Sequence, residues 1–116
     1  MKVLVLASLV VISTLLAACG GNAAAKPTPV QQSGPSTVNL DIANFAHKSA
    51  TIKVGDTIVW TNRDSTGHTV TAGGGQFKSD VLSSGQSFKQ SFAQPGDLAY
   101  HCEIHPTMTG TIKVSR

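Results

Sequence analysis

"GDLAYHCEIHPTMTGTIKV", residues 96–114, carries both a strand signal and an unusual set of donor groups. Leu98, Tyr100 and Cys102 alternate with Ala99 and His101, the period of two expected of an extended strand. The alternation puts Cys102 on one face and turns His101 to the other, where it is expected to be structural or a surface residue. Pro106 cannot donate to a ladder, so Glu103 to Thr107 reads as a loop. "GTIKVS", residues 110–115, then resumes the strand pattern. The segment is strand, tight loop, strand, with Cys102, His105 and Met108 spaced by three around the loop.

Moving outward, the same period recurs along the chain. "TVNLDI", residues 37–42, sets Val38, Leu40 and Ile42 on one face. "ATIKV", residues 50–54, and "TIVWT", residues 57–61, flank Gly55-Asp56, which predicts a hairpin or a tight corner. "HTVTA", residues 68–72, is a short strand followed by a glycine loop, and "SFKQSF", residues 87–92, alternates Phe88, Gln90 and Phe92. No stretch after residue 37 has a helical period, although a single turn fits residues 77–84. "TIKV" occurs at Thr51 and again at Thr111, as two similar strands and not as a repeat. Seven or eight short strands predict an all-β Greek-key β-sandwich over residues 37–116. Its predicted core is Val38, Leu40, Ile42, Phe45, Ile52, Val54, Ile58, Trp60, Val70, Phe88, Phe92, Leu98, Tyr100, Ile112 and Val114. A core of this size is marginal, and a ligand that binds only the folded state would add stability.

The first residues follow a different pattern. Lys2 precedes an apolar run to Ala18, which reads as a secretory signal over residues 1–18. Val3–Ala18 is slightly short of the roughly 20 residues that a bilayer span needs. The run ends in "LAAC", Leu16 to Cys19, which resembles the lipobox of bacterial lipoproteins. That resemblance implies cleavage before Cys19, lipid on its sulfur, and a chain tethered to the outer face of a bacterial membrane. Residues 19–36, rich in Gly, Pro, Ser and Gln, read as the lipidated cysteine and a flexible linker. Its mean reach is about 20–25 Å on the scaling for flexible chains.

The formal net charge is +3, and the Lys and Arg residues are scattered singly. Nothing here forms a basic footprint, so nucleic acid is not an expected partner. There are two cysteines in all. With Cys19 lipidated, Cys102 is a lone thiol in an oxidising compartment, where cysteines usually pair; a metal would occupy it. His68, at a loop-to-strand junction, is the candidate for a second imidazole beside the Cys102–His105–Met108 loop. One thiolate, two imidazoles and a weak thioether form the donor set of an electron-transfer copper, with Cu(I) favoured by sulfur and Cu(II) kept accessible by nitrogen. Structural zinc prefers four Cys, His or carboxylate ligands, and methionine suits it poorly.

"VGDTIVWTNRD", "GHTV", "FKSDVLSSGQSF", "QPGDLAYHC" and "HPTMTGTIKV" together resemble the cupredoxins of the plastocyanin and amicyanin type, and the short ligand loop is nearest the amicyanin-like members. The resemblance implies one type 1 copper held by His68, Cys102, His105 and, axially, Met108. It also implies that Asn62 pins a ligand loop, that the Thr69 amide faces the thiolate, and that electrons leave at the edge of His105 beside Pro106. The family often has a proline in the region of "NFAHKSA", which leaves the role of His47 open; a surface position is expected for it. Glu103 is expected to be solvated.

The function implied is single-electron carriage by a monomer between redox partner proteins at a membrane surface, with no substrate transformed. The rival reading is envelope copper handling, by scavenging or delivery. Such proteins favour exposed Met- and His-rich tracts, and this chain has only two methionines. Multicopper chemistry would need more histidines than His47 and His101 provide. A Cys–His nucleophile would leave His68 and Met108 without roles.

Overall fold

The computed structural model describes residues 34–116. The signal segment, Cys19 and the linker up to residue 33 lie outside the described residues. Among the described residues, Ser36 is tied to Thr57 and to Asp56 in the turn before it. The Ser36 amide donates to Asp56 Oδ1 at 2.7 Å, and its carbonyl accepts from Thr57 at 2.9 Å.

Seven strands form: β1 (Thr37–Ile42), β2 (Ala50–Lys53), β3 (Thr57–Asn62), β4 (Thr71–Ala72), β5 (Ser87–Ser91), β6 (Gly96–His101) and β7 (Thr109–Ser115). They make an all-β sandwich of two sheets, ordered β1-β3-β5 and β2-β7-β6-β4. The β1/β3 and β2/β7 pairs are parallel, and the others are antiparallel. β2 and β3 therefore belong to different sheets, and the Gly55-Asp56 turn is a corner rather than a hairpin. Gly55 makes that corner with φ +97°, a conformation that costs other residues strain. Asp56 fastens it by accepting the Lys53 and Ser36 amides, which hold its carboxyl below the usual carboxylate range.

No helical turn forms over residues 77–84. That segment runs back along residues 68–71, with bridges Thr71 to Lys78 and His68 to Leu82. The bridges bury Phe77 and Leu82, neither of which was expected in the core.

The core is aromatic at its centre. Trp60 is fully buried, with ring centroids of Tyr100, Phe77, Phe88 and Phe92 at 5.6, 5.7, 5.8 and 6.5 Å. Its indole N–H donates to the Tyr100 hydroxyl at 3.2 Å, and that hydroxyl donates to the Lys48 carbonyl. The polar atoms are thus satisfied without opening the core. Gly110, opposite Tyr100 on β7, is required by packing: a Cβ there would lie 2.5 Å from the tyrosine ring.

Two predicted core residues are exposed. Val54 stands at the corner, past the end of β2. Phe45 is 51% exposed because Asn44 and Phe45 both take left-handed conformations, φ 56° and 54°, which turn the chain out of the β1 alternation. Val38, Phe88 and Leu98 are half-buried against the core.

Candidate metal centre

Two loops supply the donors. Cys102 leaves the end of β6, and the chain turns tightly before β7. The Met108 amide donates to the His105 carbonyl at 2.9 Å, and the Cys102 amide donates to the Met108 carbonyl at 3.0 Å. These two bonds close the loop and keep the three donor residues together. Cys102 and Met108 are buried, and His105 is half-buried. His68 comes from the segment between β3 and β4, where its backbone exchanges both hydrogen bonds with Leu82, at 3.1 and 2.7 Å. Gly67 precedes it against Val81; a Cβ there would lie 2.8 Å from the valine side chain.

The donor atoms of His68, Cys102 and His105 lie within 4.8 Å of one another. His68 Nδ1 is 3.2 Å from His105 Nδ1, and Cys102 Sγ is 4.0 Å from the first and 3.8 Å from the second. Bonds of about 2.0 Å to nitrogen and about 2.3 Å to sulfur predict, in a trigonal arrangement, nitrogen–nitrogen and nitrogen–sulfur separations of about 3.5 and 3.7 Å. The donor triangle therefore fits one first-row metal ion with small adjustments.

The protonation pattern also fits. Asp64 Oδ2 lies 3.0 Å from His68 Nε2. The same carboxylate accepts the Phe45 and Asn44 amides at 2.9 and 2.8 Å. Those amides, the Phe45 one foremost, hold the Asp64 carboxyl below its ordinary range. An ionised Asp64 fixes the imidazole proton on Nε2 and leaves the Nδ1 lone pair facing the site. The Thr69 amide points at Cys102 Sγ at 3.3 Å. Asn62 is fully buried; its Nδ2 donates to the Thr66 and Leu82 carbonyls at 2.7 and 2.8 Å, and its Oδ1 accepts the Asp64 amide at 2.9 Å. One side chain thus joins the end of β3, the segment before His68 and the strand-like segment beside it.

Among the other residues, His47 and Phe45 depart from expectation. His47 is not a surface residue: it is 9% exposed, packs tilted against Tyr100 with ring centroids 4.8 Å apart, and places Nε2 3.1 Å from the Thr69 carbonyl. Nothing in the sequence spacing signals this burial. His101 is half-buried on β6, opposite Thr109 and Thr71. Glu103 is exposed and makes an ion pair with Lys78 at 2.9 Å. Phe45, expected in the core, instead sets its ring edge-on to both His68 and His105, at 5.2 and 5.1 Å. Pro106 is exposed beside His105, as is Ile104. Asp64 and Phe45 were not foreseen at the site. A carboxylate four residues before a candidate metal histidine was the available signal for Asp64.

A β-sandwich presenting one buried cysteine, two converging histidines and an adjacent buried methionine defines the class of mononuclear type 1 copper proteins. The comparisons agree. The family described as copper binding proteins, plastocyanin/azurin family, matches residues 36–115. Amicyanin of Paracoccus denitrificans is 28% identical over 95 residues, covering 76% of this chain and 72% of that protein. Amicyanin-alpha of Methylorubrum extorquens is 28% identical over 107 residues, covering 88% and 87%. The structure of a methionine-to-alanine mutant of amicyanin with Cu(I) superposes with TM-score 0.62 at 30% identity, covering 68% of this chain and 82% of that one. A copper-containing nitrite reductase from Thermus scotoductus SA-01 superposes with TM-score 0.65 at 26% identity, but the match covers only 22% of that enzyme. The chain belongs to the plastocyanin/azurin family of copper-binding proteins, and copper is its metal.

Proposed function

We propose that the protein carries single electrons between redox partner proteins, by way of a copper ion that His68, Cys102, His105 and Met108 would hold. The observation that carries this reading is the donor triangle, which is assembled by protein hydrogen bonds alone. Bound copper supplies a one-electron Cu(II)/Cu(I) couple. The chain's own residues do the rest. Asp64 keeps the His68 lone pair directed inward, and Asn62 fixes the segment that presents it. The Thr69 N–H stabilises charge on the thiolate sulfur. A site held this way moves little between oxidation states, which lowers the barrier to electron exchange.

His105 is the ligand nearest solvent, and its imidazole edge is the proposed electron port. Phe45, Ile104 and Pro106 surround it with exposed apolar surface. A rim of this kind suits short-lived contacts with partner proteins. The cluster of His68, Cys102 and His105 is the single His/Cys/acid cluster of metal-binding geometry among the described residues. The signal segment and Cys19 motif support export and a lipid tether, with the domain acting as a monomer on its linker.

The test separates a carrier from a copper handler. The copper-loaded protein is titrated potentiometrically and then challenged with a copper chelator. Carriage predicts a reversible one-electron wave and slow metal loss in both oxidation states. Rapid transfer of copper to the chelator, without a reversible wave, would assign the protein to copper delivery. His105→Gly, with metal retained, should slow electron exchange with any soluble redox partner.

A further inference from the structure

We propose that His47 is a positioning residue for the Cys102 thiolate, acting through Thr69 to set the strength of the hydrogen bond at sulfur. The inference rests on the copper reading above and adds a residue to it.

Thr69 is held at three points. Its amide points at Cys102 Sγ at 3.3 Å. Its hydroxyl oxygen accepts the Glu103 amide at 2.8 Å, which ties it to the residue after the thiol. Its carbonyl faces His47 Nε2 at 3.1 Å. His47 lies 22 residues away in sequence, in the loop between β1 and β2, so this third grip is a long-range one. The imidazole also packs against Tyr100, two residues before Cys102 on β6, with the rings tilted at 49° and their centroids 4.8 Å apart. His47 therefore links the loop between β1 and β2 to both chain segments that meet at the sulfur.

The chemistry of the ring fixes its role. Burial is the main cause that lowers its pKa to about 4, so the ring is neutral at neutral pH and carries one N–H. A carbonyl oxygen can only accept, so that proton sits on Nε2. Nδ1 is then a bare acceptor. It is one of two buried side-chain polar atoms without a hydrogen-bond partner among the described residues, the other being Thr71 Oγ1. An unpaired buried acceptor costs stability. A phenylalanine would fill the same space against Tyr100 without that cost. What the imidazole supplies and a phenyl ring does not is the N–H at the Thr69 carbonyl.

Hydrogen bonds to a ligand sulfur withdraw electron density from it, which favours the reduced metal and raises the potential. Loosening Thr69 lengthens the bond at sulfur and lowers the potential. The test compares the full chain with His47→Phe and His47→Gln, each with and without copper. His47→Phe is expected to melt no earlier than the parent without metal. It should also show a shifted Thr69 amide resonance, a lower reduction potential and a displaced sulfur-to-copper absorption band. His47→Gln retains an N–H donor and is expected to move the potential back toward the parent value.

A His47→Phe protein with unchanged potential and unchanged Thr69 resonance overturns the proposal, whatever its stability. If His47→Phe does not fold, His47→Leu takes its place with the same readouts: a shifted Thr69 resonance and a lowered potential support the role, and an unchanged resonance and potential overturn it. A parent protein with no sulfur-to-copper band would defeat the copper reading itself, while the Thr69 resonance without metal would still report on His47.

Discussion

Trp60 and His68 are both fully buried, yet the two regions around them are built on different principles. Around Trp60 four aromatic rings pack against one another, and a single hydrogen-bond relay through Tyr100 disposes of the polar atoms. Burial of apolar area supplies the free energy. Around His68 the apolar neighbours, Phe45 edge-on and the bridged Leu82, do not fix where the ring nitrogens point. Position comes from directed hydrogen bonds: Asp64 on Nε2, Leu82 on the backbone, and Asn62 on the loop. The first region makes the chain fold, and the second converts that stability into fixed distances between donors. Two histidine nitrogens 3.2 Å apart and a sulfur beside them do not form by collapse alone.

The sharpest way to break the comparison is Cys102→Ser. It should abolish the thiolate-to-copper band completely while lowering the metal-free melting curve less than loss of a large core side chain, although Cys102 is itself fully buried in the core. Trp60→Ala should do the reverse. Loss of a buried indole costs about 3–5 kcal/mol, read as a lower denaturant midpoint of the metal-free protein. Copper added to whatever remains folded should still give the thiolate band.

Asn62→Ala lies between the two regions. It removes Nδ2 from the Thr66 carbonyl and from the Leu82 carbonyl, which keeps the His68 amide, and takes the acceptor from the Asp64 amide; a buried polar group left unpaired costs about 1–3 kcal/mol. Unlike Trp60→Ala, it should also weaken copper retention against a chelator, since His68 loses its frame. If Asn62→Ala moves stability alone, the division drawn here between folding and positioning is wrong.

The smallest effect is in the pH dependence. His47 has a folded pKa of about 4 against an ordinary 6.5. As pH falls through that interval the unfolded chain takes up a proton that the folded chain refuses, so stability of the metal-free protein declines from about pH 6.5 to about pH 4. Equilibrium unfolding at stepped pH should show a shallower decline in His47→Phe. The carboxyls of Asp56 and Asp64 are held low, so they add stability above the ordinary carboxylate pKa that is lost at more acid pH in both proteins.

Much of this was legible in the sequence, for identifiable reasons. Alternation along Leu98-Ala99-Tyr100-His101-Cys102 and along Thr57–Thr61 is a direct consequence of the pleat, so strands and most of the core could be read. The spacing of Cys102, His105 and Met108 is local and carries its chemistry openly. Phe45 could not be placed, because two successive left-handed residues end the alternation and no glycine marks them. His47 could not be placed either, since its partners Thr69 and Tyr100 come from other parts of the fold. The corner at Gly55 was visible as a turn, but whether the chain stayed in one sheet depended on pairings with β1 and β7.

The most direct measurement is the visible and EPR spectrum of the protein titrated with Cu(II). The donor triangle predicts one copper per chain and an intense sulfur-to-metal absorption that bleaches on one-electron reduction and returns on oxidation. Copper taken up without that absorption, or with a spectrum unchanged in Cys102→Ser, would show that the thiol is not a ligand and would contradict the assignment of the site.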